Sequence, residues 1–348
     1  MDSLSQAGEA GIGQAPAGNG MAGSAMRPIA WALMGTGWFA DGACAGAIGK
    51  ARGQRLVGAL GSSPEKSQRF AERHGLARAY ADIDELAGDP AIDAVWITTP
   101  NHLHREHATR LAEAGKHLLV EKPLATSYAD AQALDWSAGQ SGRIVRVGYH
   151  HRFRAVHREI RDRIQAGRIG RVAFFRIHFF IDIGGLPSPW RRQPDSSGGW
   201  AINDVGTHLI DLMLWTTGLP ATVTGARLAA QVRGQQTDDG AAVLFDLGPR
   251  AIGVVETSMA LRSPASRIEV YGDAGWLRAE GSLGGATVLE SSESGAVDLG
   301  GGPDPFVAQL EAFADALDGR PDEVGDLKRA VENVRLIQEA RLANARRA

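Results

Sequence analysis

Short apolar segments alternate with helix-like segments over residues 27–148, and this alternation restricts the possible folds more than any other feature of the sequence. The apolar segments read IAWALMG, RLVGAL, DAVWITTP, KHLLVEKP and RIVRVGY. One intervening helix is marked by Ser63 as N-cap, Pro64 at its first position and Gly75 at its end. Apolar strands separated by helices are typical of a parallel sheet that is covered on both faces. The sequence therefore predicts an α/β domain with a parallel, doubly wound sheet.

Residues 149–348 show a different pattern. The segment VAFFRIHFFID, Val172 to Asp182, is too long for the strands of the first half. Further strand-like segments read TVTGARLAAQV, AAVLFDL, AIGVVETSMA and RIEVYG, and Gly, Pro and Asp separate them. We expect an α+β domain with a mixed, largely antiparallel sheet, open on one face, and amphipathic helices in residues 303–348 that close the chain.

The composition limits the classes of partner. A length of 348 residues suggests two domains, and a formal net charge of −3 favours neither nucleic acid nor an anionic membrane as partner. The one cysteine, Cys44, cannot form an internal disulfide, so a cytoplasmic location is expected. Residues 1–26 are rich in Gly and Ala and lack Lys and Arg, which predicts a disordered tail and no secretory signal.

A glycine-rich turn, GTGWFA, joins the first predicted strand to the first helix. Gly35 permits the tight turn, and Gly37 lets a phosphate approach the backbone. A pyrophosphate would then meet the N–H groups at the start of the helix, next to Trp38 and Phe39. The turn therefore predicts a dinucleotide site, although a glycine turn without a ligand would look similar.

The end of the second strand, ALGSSPEKS, bears on the choice of dinucleotide. An Asp or Glu there would bind the ribose hydroxyls of NAD, and the sequence has no acid at the expected position. Ser62 and Ser63 can donate hydrogen bonds, and Lys66 lies one turn into the next helix. This arrangement favours NADP over NAD, with Lys66 as a solvated surface charge as the alternative.

The segment TTPNHLHREH follows the third long strand. Its histidines, His102, His104 and His107, lack a carboxylate or thiol at ligand spacing, so we expect no metal site. Loops at the carboxyl ends of parallel strands bind ligands, which favours contact with the nicotinamide end of the cofactor. The residues expected to make this contact are Thr99, Pro100, Asn101 and His104.

Ionisable residues lie in two segments that are otherwise apolar. Asp204 and His208 share one face of the helix DVGTHLIDLMLW, where they either act on a ligand or satisfy each other as an internal pair. Lys122 follows a buried strand at its carboxyl end. Desolvation lowers the pKa of a lysine and a nearby carboxylate raises it, so Lys122 is suited to proton transfer unless it leads out to solvent.

Together, the motifs GTGWFA, TPNHLH, EKP, GYHHRF, WR…GG and DVGTHLID resemble, in order, those of the Gfo/Idh/MocA oxidoreductases. The resemblance covers nearly the whole chain from about Ile29. It implies a Rossmann domain followed by a mixed-sheet domain whose open face commonly builds homodimers or homotetramers. It also implies hydride transfer between nicotinamide C4 and a hydroxyl-bearing or carbonyl carbon of a sugar, sugar derivative or polyol.

The resemblance assigns roles by position. Lys122 matches the catalytic lysine, with Asp204 and His208 completing the group, and the Lys122–Pro123 bond is expected to be cis. Glu121, with Asn101 and His104, matches positions that line the nicotinamide. The positions expected near the sugar, Asp182 on looser grounds than the others, are Arg152, Asp182, Trp190 and Arg191.

Within the family, NHLHRE and the segment YHHRFRAVHREIRDRIQAGRIG look most similar to the anhydrofructose-reductase-like branch, which uses NADPH to reduce a ketone on a sugar ring. The turn GTGWFA is nearer to the general family version.

Two alternatives to an oxidoreductase remain. Some relatives use bound NAD transiently to cleave glycosides, but they usually look exported. A sensor of sugars or dinucleotides could dispense with Lys122 and His208, and both residues are present.

Overall fold

The computed structural model describes residues 27–184, 188–230, 236–262, 266–285, 288–321 and 324–346. The predicted disordered tail, residues 1–26, lies outside these ranges. The described residues form two β-sheets, one in each half of the chain, and helices that pack on them. Among them, no helix is both long and apolar enough to cross a membrane.

The first sheet has six strands, all parallel, in the order β3-β2-β1-β4-β5-β6. Its strands are β1 (Ile29–Met34), β2 (Gln54–Leu60), β3 (Arg78–Tyr80), β4 (Ala94–Ile97), β5 (His117–Val120) and β6 (Val145–Val147). Its helices are α1 (Ala45–Lys50), α2 (Pro64–His74), α3 (Ile83–Gly88), α4 (His104–Glu113) and α5 (Tyr128–Ser141). The predicted doubly wound sheet is confirmed, and its strand order reverses between β1 and β4, where such sheets bind ligands.

The cap residues predicted for the helix after β2 are in place. The Ser63 side chain accepts a hydrogen bond from Lys66 N, Pro64 opens α2, and Gly75 ends it in the left-handed conformation. A short π-helical turn, Ala40–Cys44, precedes α1. The local sequence thus determines both ends of α2.

The second sheet has eight strands in the order β14-β13-β12-β11-β7-β10-β9-β8, and only β7 and β10 pair in parallel. Its strands are β7 (Val172–Phe180), β8 (Ala221–Ala229), β9 (Gly240–Leu247), β10 (Ala251–Ser258), β11 (Arg267–Gly272), β12 (Trp276–Glu280), β13 (Val288–Ser291) and β14 (Gly295–Asp298). Its helices are α6 (Ala155–Gln165), α7 (Pro194–Ser197) and α8 (Thr207–Thr217). The predicted mixed, largely antiparallel sheet is confirmed.

The two faces of the second sheet differ in their cover. Helix α8 is buried along nearly its whole length and packs with inward-facing strand residues such as Phe175 and Phe245. On the other face, Leu244, Ile252 and Tyr271 are each more than two-fifths exposed. This second face is the open one that the sequence predicts.

The two C-terminal helices, α9 (Pro305–Leu317) and α10 (Leu327–Ala345), join both halves of the molecule. The Phe313 ring of α9 lies 5.0 Å from the Trp31 ring of β1, centroid to centroid, within the core of the first half. Helix α10 contributes Val334 to the first-half core and Ile337 to the second. The sequence assigned residues 303–348 to the second half, whereas α9 packs on the first.

Candidate active site

Lys122 lies at the carboxyl end of β5, and the Lys122–Pro123 bond is cis. Its ammonium Nζ donates a hydrogen bond to the Asp204 backbone carbonyl at 2.8 Å. The same Nζ lies 4.0 Å from Asp204 Oδ1, and the Lys122 side chain is 17% exposed. The side chain therefore does not lead out to solvent; it extends from the first half of the chain to the helical segment of the second.

Burial lowers the pKa of Lys122. The carboxylates of Asp204 and Glu121 oppose this effect, and the positive charge of Arg191 adds to it. A lysine in such surroundings changes its protonation state more readily than a solvated one, as a group that transfers a proton must.

Asp204 lies between two cations. Arg191 Nε donates a hydrogen bond to Asp204 Oδ2 at 2.9 Å, while Oδ1 faces Lys122. The guanidinium carbon of Arg191 lies 4.2 Å from the centre of the Trp190 ring, in a 3₁₀ turn spanning Pro189–Arg192. The structure thus brings the predicted residue Arg191 to Asp204, and the predicted residue Trp190 lies against the Arg191 guanidinium.

His208 lies in the first turn of α8, after a π-helical turn that spans Ile202–Gly206 and includes Asp204. Burial lowers the pKa of His208 well below its usual value, and the nearby Lys122 lowers it further, so the ring is neutral. The rings of His150 and His151 lie 5.0 and 4.7 Å from it, centroid to centroid. Sequence reasoning did not place these two histidines at the site, although the motif GYHHRF contains both.

Glu121, adjacent to Lys122, is buried beneath the same edge of the sheet. Trp96 Nε1 donates a hydrogen bond to Glu121 Oε1 at 3.1 Å, and a Cβ on Gly148 would lie 2.6 Å from that oxygen. Burial raises the pKa of Glu121 to about 7, although Lys122 and the Trp96 hydrogen bond lower it. Its carboxyl group therefore changes charge near neutral pH.

The glycine turn has the steric properties of a phosphate-binding turn. Gly35 has a φ of +106°, and a Cβ there would lie 2.6 Å from Thr98 Oγ1. A Cβ on Gly37 would meet no atom within 4 Å, so the backbone at Gly37 is open to a ligand. Trp38 is 63% exposed, and the Phe39 ring lies 5.7 Å from Phe306 of α9. The turn at the end of β1 fits a dinucleotide pyrophosphate.

The end of β2 carries the residues predicted to select the dinucleotide. Lys66 Nζ donates a hydrogen bond to Ser62 Oγ at 2.7 Å, and both residues are exposed. Ser63 Oγ donates to Glu65 at 2.6 Å while it caps α2. A hydroxyl and an ammonium group are thus adjacent at the point where the adenosine ribose lies in such folds.

Two side chains that follow β4, those of Asn101 and His104, contact backbone carbonyl groups. Asn101 Nδ2 donates to the Ser197 carbonyl at 2.9 Å. The ring nitrogens of His104 lie 2.8 Å from the Pro123 carbonyl and 2.9 Å from the Thr99 carbonyl, next to Pro100. Burial lowers the pKa of His104 to about 4, although the hydrogen bonds to the two carbonyls raise it. Asn101 therefore links the loop after β4 to α7, and His104 links it to the loop after β5.

Two residues that were expected near the sugar have partners elsewhere. Arg152 is 2% exposed, and it forms a bidentate ion pair with Asp211 in which its Nε donates to Asp211 Oδ2 at 2.8 Å. Asp182 accepts a hydrogen bond from Gly184 N and lies 3.5 Å from Arg262 Nε. The structure does not place either side chain in contact with Lys122.

Comparison with known proteins identifies the family. The profile described as "Oxidoreductase family, NAD-binding Rossmann fold" matches residues 29–149, and that of the "GFO/IDH/MocA C-terminal domain" matches residues 157–278. The chain therefore belongs to the Gfo/Idh/MocA family. It is 30% identical, over 311 residues, to 1,5-anhydro-D-fructose reductase from Ensifer adhaerens, a match that covers 85% of this chain and 91% of the relative.

Solved structures show the same fold. An aldose-aldose oxidoreductase from Caulobacter crescentus, complexed with glycerol, has a TM-score of 0.84 at 24% identity, with 92% of this chain and 99% of that one covered. A levoglucosan dehydrogenase in complex with NADH and L-sorbose has a TM-score of 0.82 at 23% identity, with coverages of 93% and 98%.

Proposed function

We propose that this protein is an NAD(P)-dependent oxidoreductase that transfers a hydride between nicotinamide C4 and a carbon of a sugar, sugar derivative or polyol. The carbon carries a hydroxyl group in one direction and a carbonyl group in the other. The position of Lys122 carries the proposal, since its ammonium lies at the carboxyl edge of the dinucleotide sheet beside Asp204. The names of the relatives, a sugar-derivative reductase among them, support the substrate class.

In this proposal Lys122 is the acid and base of the reaction. The bound nicotinamide supplies or accepts the hydride. During oxidation, neutral Lys122 removes the proton of the hydroxyl group that is being oxidised. During reduction, the ammonium form of Lys122 returns a proton to the oxygen and stabilises its developing negative charge. Burial lowers the pKa of Lys122, which favours the neutral form that oxidation needs.

His208 and Asp204 orient the substrate in the same proposal. Neutral His208 donates or accepts one hydrogen bond at the reacting oxygen, or relays its proton. The Asp204 carboxylate, held by Arg191, accepts hydrogen bonds from neighbouring substrate hydroxyl groups and keeps negative charge beside Lys122. In this proposal the hydride transfer needs no metal ion, because Lys122 supplies both the acid and the base.

NADP is the favoured cofactor. Lys66 and Ser62, joined by a hydrogen bond, would meet a ribose 2′-phosphate with a positive charge and a hydroxyl group. The turn of Gly35 and Gly37 would bind the pyrophosphate, and the loop of Thr99, Pro100 and Asn101 would lie towards the nicotinamide. NAD remains the second candidate.

We also propose a homodimer or homotetramer built through the open sheet face, whose exposed apolar side chains include Leu244, Ile252 and Tyr271. The proposed location is the cytoplasm. A net charge of −3 supports neither nucleic acid nor an anionic membrane as a partner.

A substrate panel tests the proposed reaction. The purified protein is mixed with sugars, anhydro-sugars, their keto forms and polyols, in the presence of NAD(H) or NADP(H), and nicotinamide absorbance is followed. We expect stoichiometric change of absorbance with at least one substrate, and faster change with NADP(H). Release of free sugar from a glycoside without net absorbance change would point instead to the NAD-dependent hydrolase. Ligand binding without turnover across the panel would indicate a sensor.

A further inference from the structure

Three histidines from two segments meet at the edge of the site. His150 and His151 lie in a 3₁₀ turn after β6, and His208 lies in the first turn of α8. One nitrogen from each of the three rings lies within 4.8 Å of the other two. The proposed hydride transfer uses His208, and it assigns no role to His150 or His151.

Two nitrogen atoms of this histidine cluster are available as ligands. His150 Nδ1 and His208 Nδ1 are buried and have no hydrogen-bond partner within the described part of the chain. Burial lowers the pKa of His150 to about 3 and lowers the pKa values of His151 and His208 well below the usual value. Neutral imidazoles with free lone pairs are the preferred ligands of zinc and its neighbours among the transition metals.

We propose that His150, His151 and His208 form a binding site for a divalent transition metal, with Zn²⁺ as the representative ion, and that the bound metal inhibits the enzyme. Three histidines leave at least one position of the ion open to water or to a substrate oxygen. The metal withdraws His208 from the reacting oxygen and occupies the space beside Lys122. Hard cations such as Mg²⁺ and Ca²⁺ bind oxygen and are not bound here.

The rings must close slightly around the ion. Zinc lies about 2.0–2.1 Å from a histidine nitrogen, so the nitrogens of a tetrahedral site are roughly 3.3 Å apart. Starting from 4.8 Å, the separation shrinks by up to about 1.5 Å. The His150 ring stacks on Phe306 at 4.1 Å, so a rotation of the ring within that stack is the simplest way to close the gap.

Arg154 competes with the metal for His151. Arg154 Nε donates a hydrogen bond to His151 Nδ1 at 3.1 Å, which leaves the proton of the neutral ring on Nε2. A metal must therefore displace either Arg154 or that proton. Positive charge near the cluster also repels a second cation: Lys122 lowers the pKa values of His150 and His208, and Arg154 lowers those of all three histidines.

Cobalt provides a direct test, because Co²⁺ takes the place of Zn²⁺ and absorbs visible light. The protein, free of cofactor and substrate, is titrated with Co²⁺. We expect one equivalent to bind with the intense visible bands of four- or five-coordinate Co²⁺, and Zn²⁺ to displace it. A weak six-coordinate spectrum, or no binding by the wild-type protein, would overturn the proposal.

Two variants and one control assign the ligands. His150→Phe keeps the stacking on Phe306 and should abolish the cobalt bands, with the circular dichroism spectrum confirming the fold. Arg154→Leu should tighten binding about tenfold, the equivalent of one hydrogen bond to a charged group. The exposed His102 is the control, and His102→Asn should leave the titration unchanged. Equal affinity in wild type and His150→Phe would refute the site.

Inhibition is measured separately. In an assay with a substrate found by the panel, Zn²⁺ should inhibit the wild type, and Arg154→Leu should be inhibited at about tenfold lower Zn²⁺. Wild-type turnover that Zn²⁺ leaves unchanged at saturation would refute the inhibitory role. Because the cobalt titration uses neither cofactor nor substrate, its result does not depend on the proposed hydride transfer.

Discussion

The pKa of Lys122 depends on its burial and on three neighbouring charges, those of Asp204, Glu121 and Arg191. The strand β5 delivers it to the edge of the sheet, Asp204 accepts its hydrogen bond, and Arg191 holds the Asp204 carboxylate on the other side. The neighbours act in opposite directions on its pKa, since Asp204 raises it while Arg191 lowers it. The protonation of Lys122 is therefore adjustable through residues that do not themselves transfer the proton.

Asp204→Asn should shift the pH dependence of turnover to lower pH. Removing the carboxylate removes an influence that raises the pKa of Lys122, so the pKa falls further. Oxidation needs neutral Lys122 and rises with pH, whereas reduction needs the ammonium form and falls with pH. The pH profiles of oxidation and of reduction should therefore both shift to lower pH by about one pH unit. Profiles of kcat/KM against pH measure the shift.

The control for this experiment removes a similar charge nearby. Asp195 is an exposed acid in α7, close in sequence to Arg191. Asp195→Asn should leave both pH profiles unchanged, because solvent screens its charge. If Asp204→Asn also leaves both pH profiles unchanged, Asp204 does not control the pKa of the group that transfers the proton.

At the residue scale, the residues proposed as the catalytic group could be chosen from the sequence, whereas the contacts around them could not. Lys122, Asp204 and His208 could be chosen because each is ionisable within an apolar segment. The interior pairing of Arg152 with Asp211 could not be predicted, because it joins residues 59 positions apart. The position of His150 and His151 beside His208 could not be predicted for the same reason, because it depends on how two distant segments of the chain pack together.

At the scale of elements, the two glycines of the turn between β1 and the first helix have different roles, one in stability and the other in the proposed binding of the cofactor. Gly35 is required by the fold, since its φ is positive and Thr98 fills the space of a side chain. A Cβ on Gly37 would meet no atom within 4 Å, which leaves its backbone open to the proposed pyrophosphate. The helix caps of α2 could be predicted from sequence because they depend on neighbouring residues. The π-helical turn at Asp204 could not be predicted, because no local pattern specifies it.

Alanine at each glycine should separate the two roles. Gly35→Ala should destabilise the protein by about 3 kcal/mol, because its Cβ overlaps Thr98 and its φ is strained. Gly37→Ala should change stability by less than about 0.5 kcal/mol and weaken NADPH binding at least about tenfold. Urea unfolding and fluorescence titration measure the two effects. Unchanged NADPH affinity in Gly37→Ala would place the pyrophosphate elsewhere.

The end of β2 should determine the choice of dinucleotide. Ser62→Asp introduces a carboxylate that binds ribose hydroxyl groups and repels a 2′-phosphate. We expect the ratio of kcat/KM for NADPH to that for NADH to fall about tenfold or more, the effect of one charge contact. Ser62→Ala controls for loss of the hydroxyl group. A ratio that Ser62→Asp does not change would argue against Ser62 and Lys66 as the selecting residues.

At the scale of the whole molecule, the C-terminal helices hold the two halves together. Helix α9 contributes Phe313 to the core of the first half, and α10 contributes residues to the cores of both halves, so the first half does not complete its packing without them. Sequence patterns predicted both sheets, because strand length and alternation are local properties. They did not predict that α9 packs on the first sheet, since an amphipathic helix does not specify its partner.

The open sheet face should control assembly. Ile252→Lys places a charge among the exposed apolar side chains of that face, and we expect the molar mass in solution to fall to that of the monomer. Trp136, exposed on α5, is the control, and Trp136→Lys should leave the mass unchanged. Light scattering coupled to size exclusion measures both. A wild-type monomer, or an oligomer that Ile252→Lys does not dissociate, would contradict the proposed assembly.

The central claim is that Lys122 transfers the proton that accompanies hydride transfer. Lys122→Ala removes the ammonium and leaves the glycine turn and the residues at the end of β2 in place. With the substrate found by the panel, we predict that NADPH still binds within a few-fold of wild type and that turnover falls about a thousandfold or more. Turnover within a factor of about ten of wild type, with NADPH bound, would contradict this account.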